Sequence, residues 1–418
     1  MDLGEVNRGR SRHRPRHEPR LYGGPYPFIQ TGDIKASRGR ITSYSQTYSE
    51  EGLAQSRLWP AGTMCITIAA NIAETALLTF PACFPDSVIG FIGDETKCDV
   101  RFVEYMFRRL RRHIQHEMRD SGTVQDNINL AYLEHLWFPV PDLNLQREIA
   151  ETLSAIDDKI HVNSELNRAL ESLGAALFTS WFVDFDPVIA KRDGRTPVGV
   201  PAEAIDLFPT HFEESELGAI PQGWRTIPLD SVADFLNGLA LQRYPPRDGD
   251  VLPVIKIAEL RAETSVGADL CGGVPSEYVI DDGDVIFSWS GSLMVDVWCG
   301  GMGALNQHLF KVTSREVPKW FYLGWLNEHL PEFQAIAADK ATTMGHIRRF
   351  HLTEAKVLRP PEPLMDAMTS VQQPLLEKVI HNRLESRALA ELRDTLLRPL
   401  LSGELTINGA EKAVGEAI

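Results

Sequence analysis

Two long stretches of this chain repeat apolar residues in alternating steps of four and three, the spacing of a helix with one apolar seam. In the first, Ile149, Leu153, Ile156, Ile160, Asn163, Asn167, Leu170, Gly174, Leu177 and Trp181 mark the seam, and Leu166 and Leu173 widen it. In the second, Leu376, Val379, Ile380, Leu384, Leu389, Leu392 and Leu396 continue until Pro399, which is expected to break the helix. Each predicted helix is roughly 45–50 Å long at about 1.5 Å per residue. One such helix cannot bury its seam alone. The two are therefore expected to pair within the chain as an antiparallel coiled coil. Asn163 and Asn167 either fix the register of that pair or lie at the solvated end of a wide stripe.

Before each helix the pattern changes. Short β-branched runs such as Gly283-Asp284-Val285-Ile286-Phe287 mix with helical stretches such as Phe102 to Met118, which predicts an α+β class. The longest mostly apolar stretch, Met64 to Phe80, is interrupted by Asn71 and Glu74. It reads as core strands around a polar loop and not as a membrane span.

The whole arrangement occurs twice. Residues 27–36 match 253–262 at an offset of 226, and Leu3/Leu229 and Val6/Val232 are aligned at the same offset. Gly62/Gly283 and Val88/Leu309 are 221 apart. Thr123/Thr342, Ile128/Ile347, Pro141/Pro360, Asn163/Asn382, Leu170/Leu389 and Leu177/Leu396 are all 219 apart. An offset that only steps down at gaps indicates a duplicated domain plus helix. The expected layout is two globular domains, 1–147 and 220–370, with spacer helices at 148–183 and 371–402. Residues 184–219, rich in proline and charge, are expected to be a linker, and 403–418 a C-terminal tail.

Charge complicates any reading as a nucleic-acid protein. The net charge is −15, with a pI near 5.3, which argues against tight solitary DNA binding. The distribution is uneven, however. Arg8, Arg10, Arg12, Arg14, Arg16 and Arg20 crowd the first segment, and Arg108, Arg109, Arg111 and Arg112 form a second basic run. Binding within a complex, with partners sharing the phosphate contacts, fits both facts. The five cysteines (Cys65, Cys83, Cys98, Cys271, Cys299) form no CxxC pair, which points to a reducing cytoplasm and away from zinc or disulfides. No apolar run follows the N-terminal arginines, so no secretory signal is expected.

Catalytic signatures are missing. There is no Walker loop, no GxGxxG fingerprint and no [DNS]PP[FYW] tetrapeptide, so the chain is not expected to bind S-adenosylmethionine or hydrolyse ATP. One alternative is a Mg²⁺-dependent nuclease, because Asp86, Glu95 and Lys97 have the form PD…ExK. The repeat argues against it: the corresponding stretch, Asn306 to Val312, lacks the carboxylates, so the position reads as a strand edge. His113/His116 and His346/His351 have the spacing of metal pairs but fit exposed residues on basic helices better.

Side chains able to read base edges cluster in two loops. Gln and Asn suit adenine, Arg and Lys suit guanine, and Ser or Thr serve either. The loop 121–127 offers Thr123, Gln125 and Asn127, and its counterpart offers Lys340, Thr342, Thr343, His346 and Arg348. Gln30 is a further candidate, and Arg109 and Arg112 are candidate DNA contacts on the basic run. Polar in both copies but different in chemistry, the two loops suggest two readers of different sequences.

These residues resemble the specificity subunit of type I restriction–modification systems. The match runs through Pro27 to Ile34, Phe84 to Phe91, Gln146 to Ile160, Ser180 to Pro187, Ile220 to Trp224 and Leu397 to Leu405, nearly the whole chain. One departure is the start, Leu3-Gly4-Glu5-Val6, which lacks the proline-glycine-tryptophan opening seen at 221–224. The true start is then upstream or the first domain is trimmed, which leaves its first strand open. The resemblance implies two target-recognition domains, each on one half of a split, asymmetric site in double-stranded DNA, with the helix pair as a ruler. It implies two adenine methyltransferase subunits and restriction/translocase subunits as partners. S-adenosylmethionine, ATP and Mg²⁺ would serve that complex, with no cofactor on this chain, no catalysis by it and no membrane association.

Overall fold

The computed structural model describes residues 3–417 except 14, 38, 70–71, 121–127, 129, 248 and 340–344. The chain divides into two compact units, residues 1–159 with 389–418, and residues 160–388. The first unit contains β1 (Gly4–Arg8), β2 (Tyr22–Phe28), α1 (Thr31–Ala36), β3 (Arg40–Ile41), β4 (Gln46–Tyr48) and α2 (Glu50–Ala54). There follow β5 (Met64–Thr67), β6 (Thr75–Leu78), β7 (Val88–Gly93), α3 (Val100–Asp120) and α4 (Leu130–Glu134). Next comes α5 (Leu143–Phe182), which continues into the second unit. Its main sheet has the order β1-β7-β5-β6-β3, and β2 pairs with β4. All four residues of β5 are buried, and β5 and β6 form an antiparallel hairpin, the pair of core strands expected between Met64 and Phe80. Ile29, Trp59, Phe84 and Val88 lie in the core beneath.

The second unit adds α6 (Asp186–Arg192), β8 (Phe212–Ser215), β9 (Gly218–Pro221), β10 (Arg225–Pro228), β11 (Asp234–Asn237), β12 (Leu252–Ile255) and α7 (Ile257–Ala262). After these come β13 (Leu270–Cys271), β14 (Val279–Ile280), β15 (Val285–Ser288), β16 (Met294–Val297), β17 (Gly303–Leu305) and β18 (Leu309–Thr313). The chain then forms α8 (Lys319–Asp339), α9 (Arg349–Glu354), β19 (Lys356–Arg359) and α10 (Glu362–Ser402), whose end returns to the first unit with α11 (Ile407–Ala417). Two four-stranded sheets, β11-β18-β15-β16 and β13-β12-β17-β14, stand beside the pairs β10-β19 and β8-β9. An aromatic core of Phe178, Trp181, Phe182, Phe321 and Trp325 joins the end of α5 to α8. This is the expected α+β class.

The repeat survives as backbone geometry. Helices α1 and α7 begin and end 226 residues apart, and they start alike: Gln30 N donates to Asp33 at 2.8 Å and Lys256 N to Glu259 at 3.1 Å. Helices α3 and α8 are offset by 219, as are the starts of α5 and α10. Gly62 and Gly283 both adopt left-handed turns, at φ +83° and +90°, where a side chain would be strained. The first strand is formed, but its counterpart differs from the expected one. Val6 pairs with Phe91 and Phe235 with Val312, so Val6 corresponds to Phe235 and not to Val232. Gly9 and Gly238 confirm the shift, donating to Val88 O at 2.8 Å and to Leu309 O at 3.0 Å.

Four other expectations need correction. Pro399 does not stop α10; it removes one hydrogen bond in the last turn, and the helix ends before Gly403 at φ +74°. Residues 184–219 are not a bare linker, because Val188 on α6 and Phe208 are buried in the second core. The tail carries α11, with Thr406 Oγ1 accepting from Gly409 N at 3.2 Å and Ala410 and Val414 buried. Leu166 and Leu173 do not widen the seam; both are exposed.

The seam itself is buried where it was expected to be. In the first unit Ile149, Leu153, Ile156, Leu389 and Leu396 are buried, with Leu392 half-buried. In the second, Ile160 is buried, and Leu177, Leu376 and Ile380 pack partly buried against the core, while Leu170 is half-buried. Between residues 160–182 and 362–388 the helices run antiparallel: Asn163 meets Asn382, Asn167 meets Val379 and Gly174 meets Gln372.

Candidate nucleic-acid interface

Each unit builds the same strand-end site. In the first, Ile68 follows β5, donates its N–H to Ser87 O at 3.1 Å, and accepts at its carbonyl from Ile128 N at 3.3 Å. In the second, Trp289 follows β15, donates to His308 O at 3.3 Å, and accepts from Ile347 N at 3.1 Å. Buried Ile128 and Ile347, which follow the two candidate reading loops in sequence, are thus held at these strand ends. The anchor point adjoins the turn that leads into β7 or β18, where Val88 donates to Pro85 O and Leu309 to Asn306 O, each at 3.0 Å. Ile128 or Ile347 and a short polar turn therefore converge at one strand end in both copies.

The backbone is shared, but the side chains differ. In the first unit Arg16 Nη2 donates to both carboxylate oxygens of Asp86, at 2.7 and 3.0 Å. The basic segment runs along this turn, with Arg10 N bonded to Phe84 O at 3.1 Å and the side chains of Arg8, Arg10, Arg12 and Arg16 exposed. In the second unit the corresponding groups are neutral and aromatic. Trp289 Nε1 donates to Asn237 Oδ1 at 2.9 Å, and Ser290 Oγ lies 2.8 Å from His308 Nδ1. Gln307 Nε2 is 3.3 Å from His308 Nε2, and His346 stands edge-on to the Trp289 ring.

The sequence candidates fall unevenly around these sites. Thr123, Gln125, Asn127, Lys340, Thr342 and Thr343 lie outside the described residues. His346 is at the second site, bridged through its backbone to Ser290. Arg348 caps α9 and is exposed. Gln30 works within the fold, capping α1 and donating from Nε2 to Gln46 Oε1 at 2.8 Å. Of the basic run on α3, Arg108 is half-buried between Glu104 and Asp157, and Arg111 pairs with Glu74. Arg109 and Arg112 remain exposed, with no ion-pair partner among the described residues.

The nuclease pattern dissolves. Asp86 precedes β7 and Glu95 follows it, so a six-residue strand separates them by about 20 Å at ~3.3 Å per residue. No metal is shared over that distance. Lys97 pairs instead with Asp94 at 3.1 Å. The strands β7 and β18 are inner strands, not sheet edges; the polar residues belong to the turns before them. His351 is buried and its Nδ1 accepts from Arg348 N at 2.9 Å, which rules out the reading of it as an exposed surface histidine.

Arg16, Trp289 and the pair Gln307-His308 are not among the DNA contacts expected from the sequence. The signal lies in the 221-residue offset, which aligns Asp86-Ser87 with Gln307-His308. Read for carboxylates alone, it shows only a loss.

Residues 1–172 match the family model described as the type I restriction modification DNA specificity domain. The chain is thus similar, over its first 172 residues, to the type I restriction–modification specificity subunits. The type I restriction enzyme MjaIX specificity subunit of Methanocaldococcus jannaschii is 24% identical, over 97% of this chain and 92% of that protein. The HindI specificity subunit of Haemophilus influenzae is 24% identical, over 68% of this chain and 72% of its own length. In fold, the chain is similar to the crystal structure of the type I S subunit from M. genitalium. The TM-score is 0.53 at 15% identity, covering 95% of this chain and 93% of that one. The second copy of the site lies beyond the residues matched by the family model, yet it repeats the bonding of the first.

Proposed function

We propose that this chain reads a bipartite, asymmetric sequence in double-stranded DNA on behalf of a type I restriction–modification complex and performs no catalysis itself. The observation that carries the reading is the strand-end site built twice on one backbone plan with unlike side chains. Exposed Arg109 and Arg112 supply phosphate contacts, which position the protein without reading sequence. The loops 121–127 and 340–346 supply base contacts. With a net charge of −15, firm binding depends on partners. We assign these as two adenine methyltransferase subunits and restriction/translocase subunits, which hold S-adenosylmethionine, ATP and Mg²⁺. No single helix among the described residues is long and apolar enough to cross a membrane.

The test is co-expression with the methyltransferase subunit followed by adenine-methylation sequencing. One split site with unlike halves is expected, while the isolated chain with DNA and Mg²⁺ leaves the DNA intact. Cleavage or methyl transfer by the isolated chain would overturn the proposal.

A further inference from the structure

We propose that the turn position shared by Asp86 and Gln307 determines base specificity in each half-site, directly through the Gln307 amide in one and through the Arg16 guanidinium that Asp86 positions in the other; this rests on the DNA-reading function above. The position is marked by the contrast between a fixed backbone and changed side chains. The turn bond before the strand, the bond from the strand above and the glycine bond alongside are all duplicated. They join Val88 to Pro85 and Leu309 to Asn306, Ile68 to Ser87 and Trp289 to His308, and Gly9 to Val88 and Gly238 to Leu309. A turn kept only for folding would need no particular side chain at its exposed position. Here both side chains are part-exposed, and each is built into a polar arrangement of its own.

In the second unit, buried Ser290 fixes the His308 ring through Nδ1, and the ring's other nitrogen meets the Gln307 amide. A side chain held this way loses less rotamer freedom when it meets a ligand. An amide presents a donor and an acceptor together, the pattern that matches N7 and N6 of adenine in the major groove. In the first unit, the carboxylate of Asp86 holds the Arg16 guanidinium from both of its oxygens. A guanidinium steadied by a carboxylate is suited to O6 and N7 of guanine. The same backbone position thus presents an amide in one unit and an arginine–carboxylate pair in the other. Ile128 and Ile347, which follow in sequence the loops proposed to contact bases, are bonded at the same strand end.

The experiment is methylation sequencing of cells carrying the methyltransferase subunit with wild-type chain, Gln307→Ala, Gln307→Glu or Asp86→Ala. Gln307→Ala should relax one base position in one half-site by about 5- to 150-fold in discrimination, leaving the other half unchanged. Asp86→Ala should relax a position in the opposite half only. The untouched half-site serves as the folding control in each case. Should Gln307→Ala abolish all methylation, the isosteric Gln307→Glu decides: a changed base preference in that one half supports the assignment. Variants that all methylate the wild-type sequence with wild-type discrimination, or Gln307→Glu relaxing both halves alike or losing all activity, overturn it. Absence of any split methylated site with wild-type chain would instead count against the DNA-reading function itself.

Discussion

Asn163 and Asn382, 219 residues apart and equivalent in the two repeats, meet inside one helix pair, where the Asn163 amide donates to the Asn382 carbonyl oxygen at 3.5 Å. Asn382 in turn donates from Nδ2 to Asn167 Oδ1 at 2.8 Å, and Asn163 donates to Glu385 at 2.7 Å. All three asparagines are buried. The repeat therefore closes on itself at a polar layer. An apolar seam tolerates slippage by a heptad, whereas buried amides are satisfied in one register only. Burial excludes one of the two readings left open by the sequence: the asparagines are not the wet end of a stripe.

Asn382→Ala should destabilise the chain by about 1–3 kcal/mol, because it strands the buried Asn167 carbonyl. Denaturant unfolding of the two proteins measures the difference. Replacing Asn163, Asn167 and Asn382 together by leucine should recover stability while permitting other helix registers. An Asn382→Ala protein as stable as wild type would show that the layer contributes no net stability.

The helices are legible in the sequence because burial on one side of a long helix leaves a period that needs no tertiary knowledge. Ile149 through Leu177 and Leu376 through Leu396 carry it plainly. Sheet partners are not legible in the same way. The 226-residue offset misplaces β1 by three residues, since short strands have few apolar positions and register is fixed by a neighbour 81–89 residues away. The site is visible only in part. Polar loops announce themselves by composition, but the meeting of Ile128 or Ile347 with the polar turn depends on Ile68 and Trp289 backbone bonds that leave no mark on sequence.

Position along the seam has quantitative consequences. Leu389→Ala removes a buried side chain and should cost about 2–5 kcal/mol. Leu173→Ala, at an exposed position beside the seam, should fall within about 0.5 kcal/mol of wild type. Equal effects in thermal or denaturant unfolding would contradict the observed burial of Leu389 on α10 and exposure of Leu173 on α5.

The first unit has a charged lock of its own. Asp157 accepts from Arg393 Nη1 at 2.6 Å, from Arg108 Nη1 at 3.0 Å and from Tyr105 at 2.8 Å. Burial pushes its carboxyl up, but the charges of Arg108 and Arg393 outweigh this and hold it below the usual range. A depressed folded value means the stabilisation is complete above the unfolded value of about 3.9 and is lost as pH falls through the folded one. Nearby Glu104 is displaced the other way, because its burial outweighs the pull of Arg108, so it opposes Asp157 on acidification. Asp157→Asn should cost about 3–5 kcal/mol at neutral pH by leaving two arginines buried without their carboxylate. The gap from wild type should shrink in acid, as unfolding at several pH values would show.

The final prediction separates positioning from reading. Arg109 is exposed on α3, whereas Arg108 beside it is committed to Glu104 and Asp157. If Arg109 meets a phosphate, Arg109→Ala weakens binding of the assembled complex to every DNA sequence alike. It then lowers the slope of log affinity against log salt by about one. Gln125→Ala with Asn127→Ala should do the opposite: the salt slope stays, and one half-site relaxes by about 1–3 kcal/mol for each bidentate hydrogen-bonded pair removed. Arg108→Ala should unfold or weaken the first unit instead, since it leaves Glu104 and Asp157 buried without their shared cation. Titrations at several salt concentrations, on DNA matched or mismatched in one half, distinguish the three. A single continuous palindrome as the bound sequence would contradict all of this, because two sites with unlike side chains cannot read identical halves.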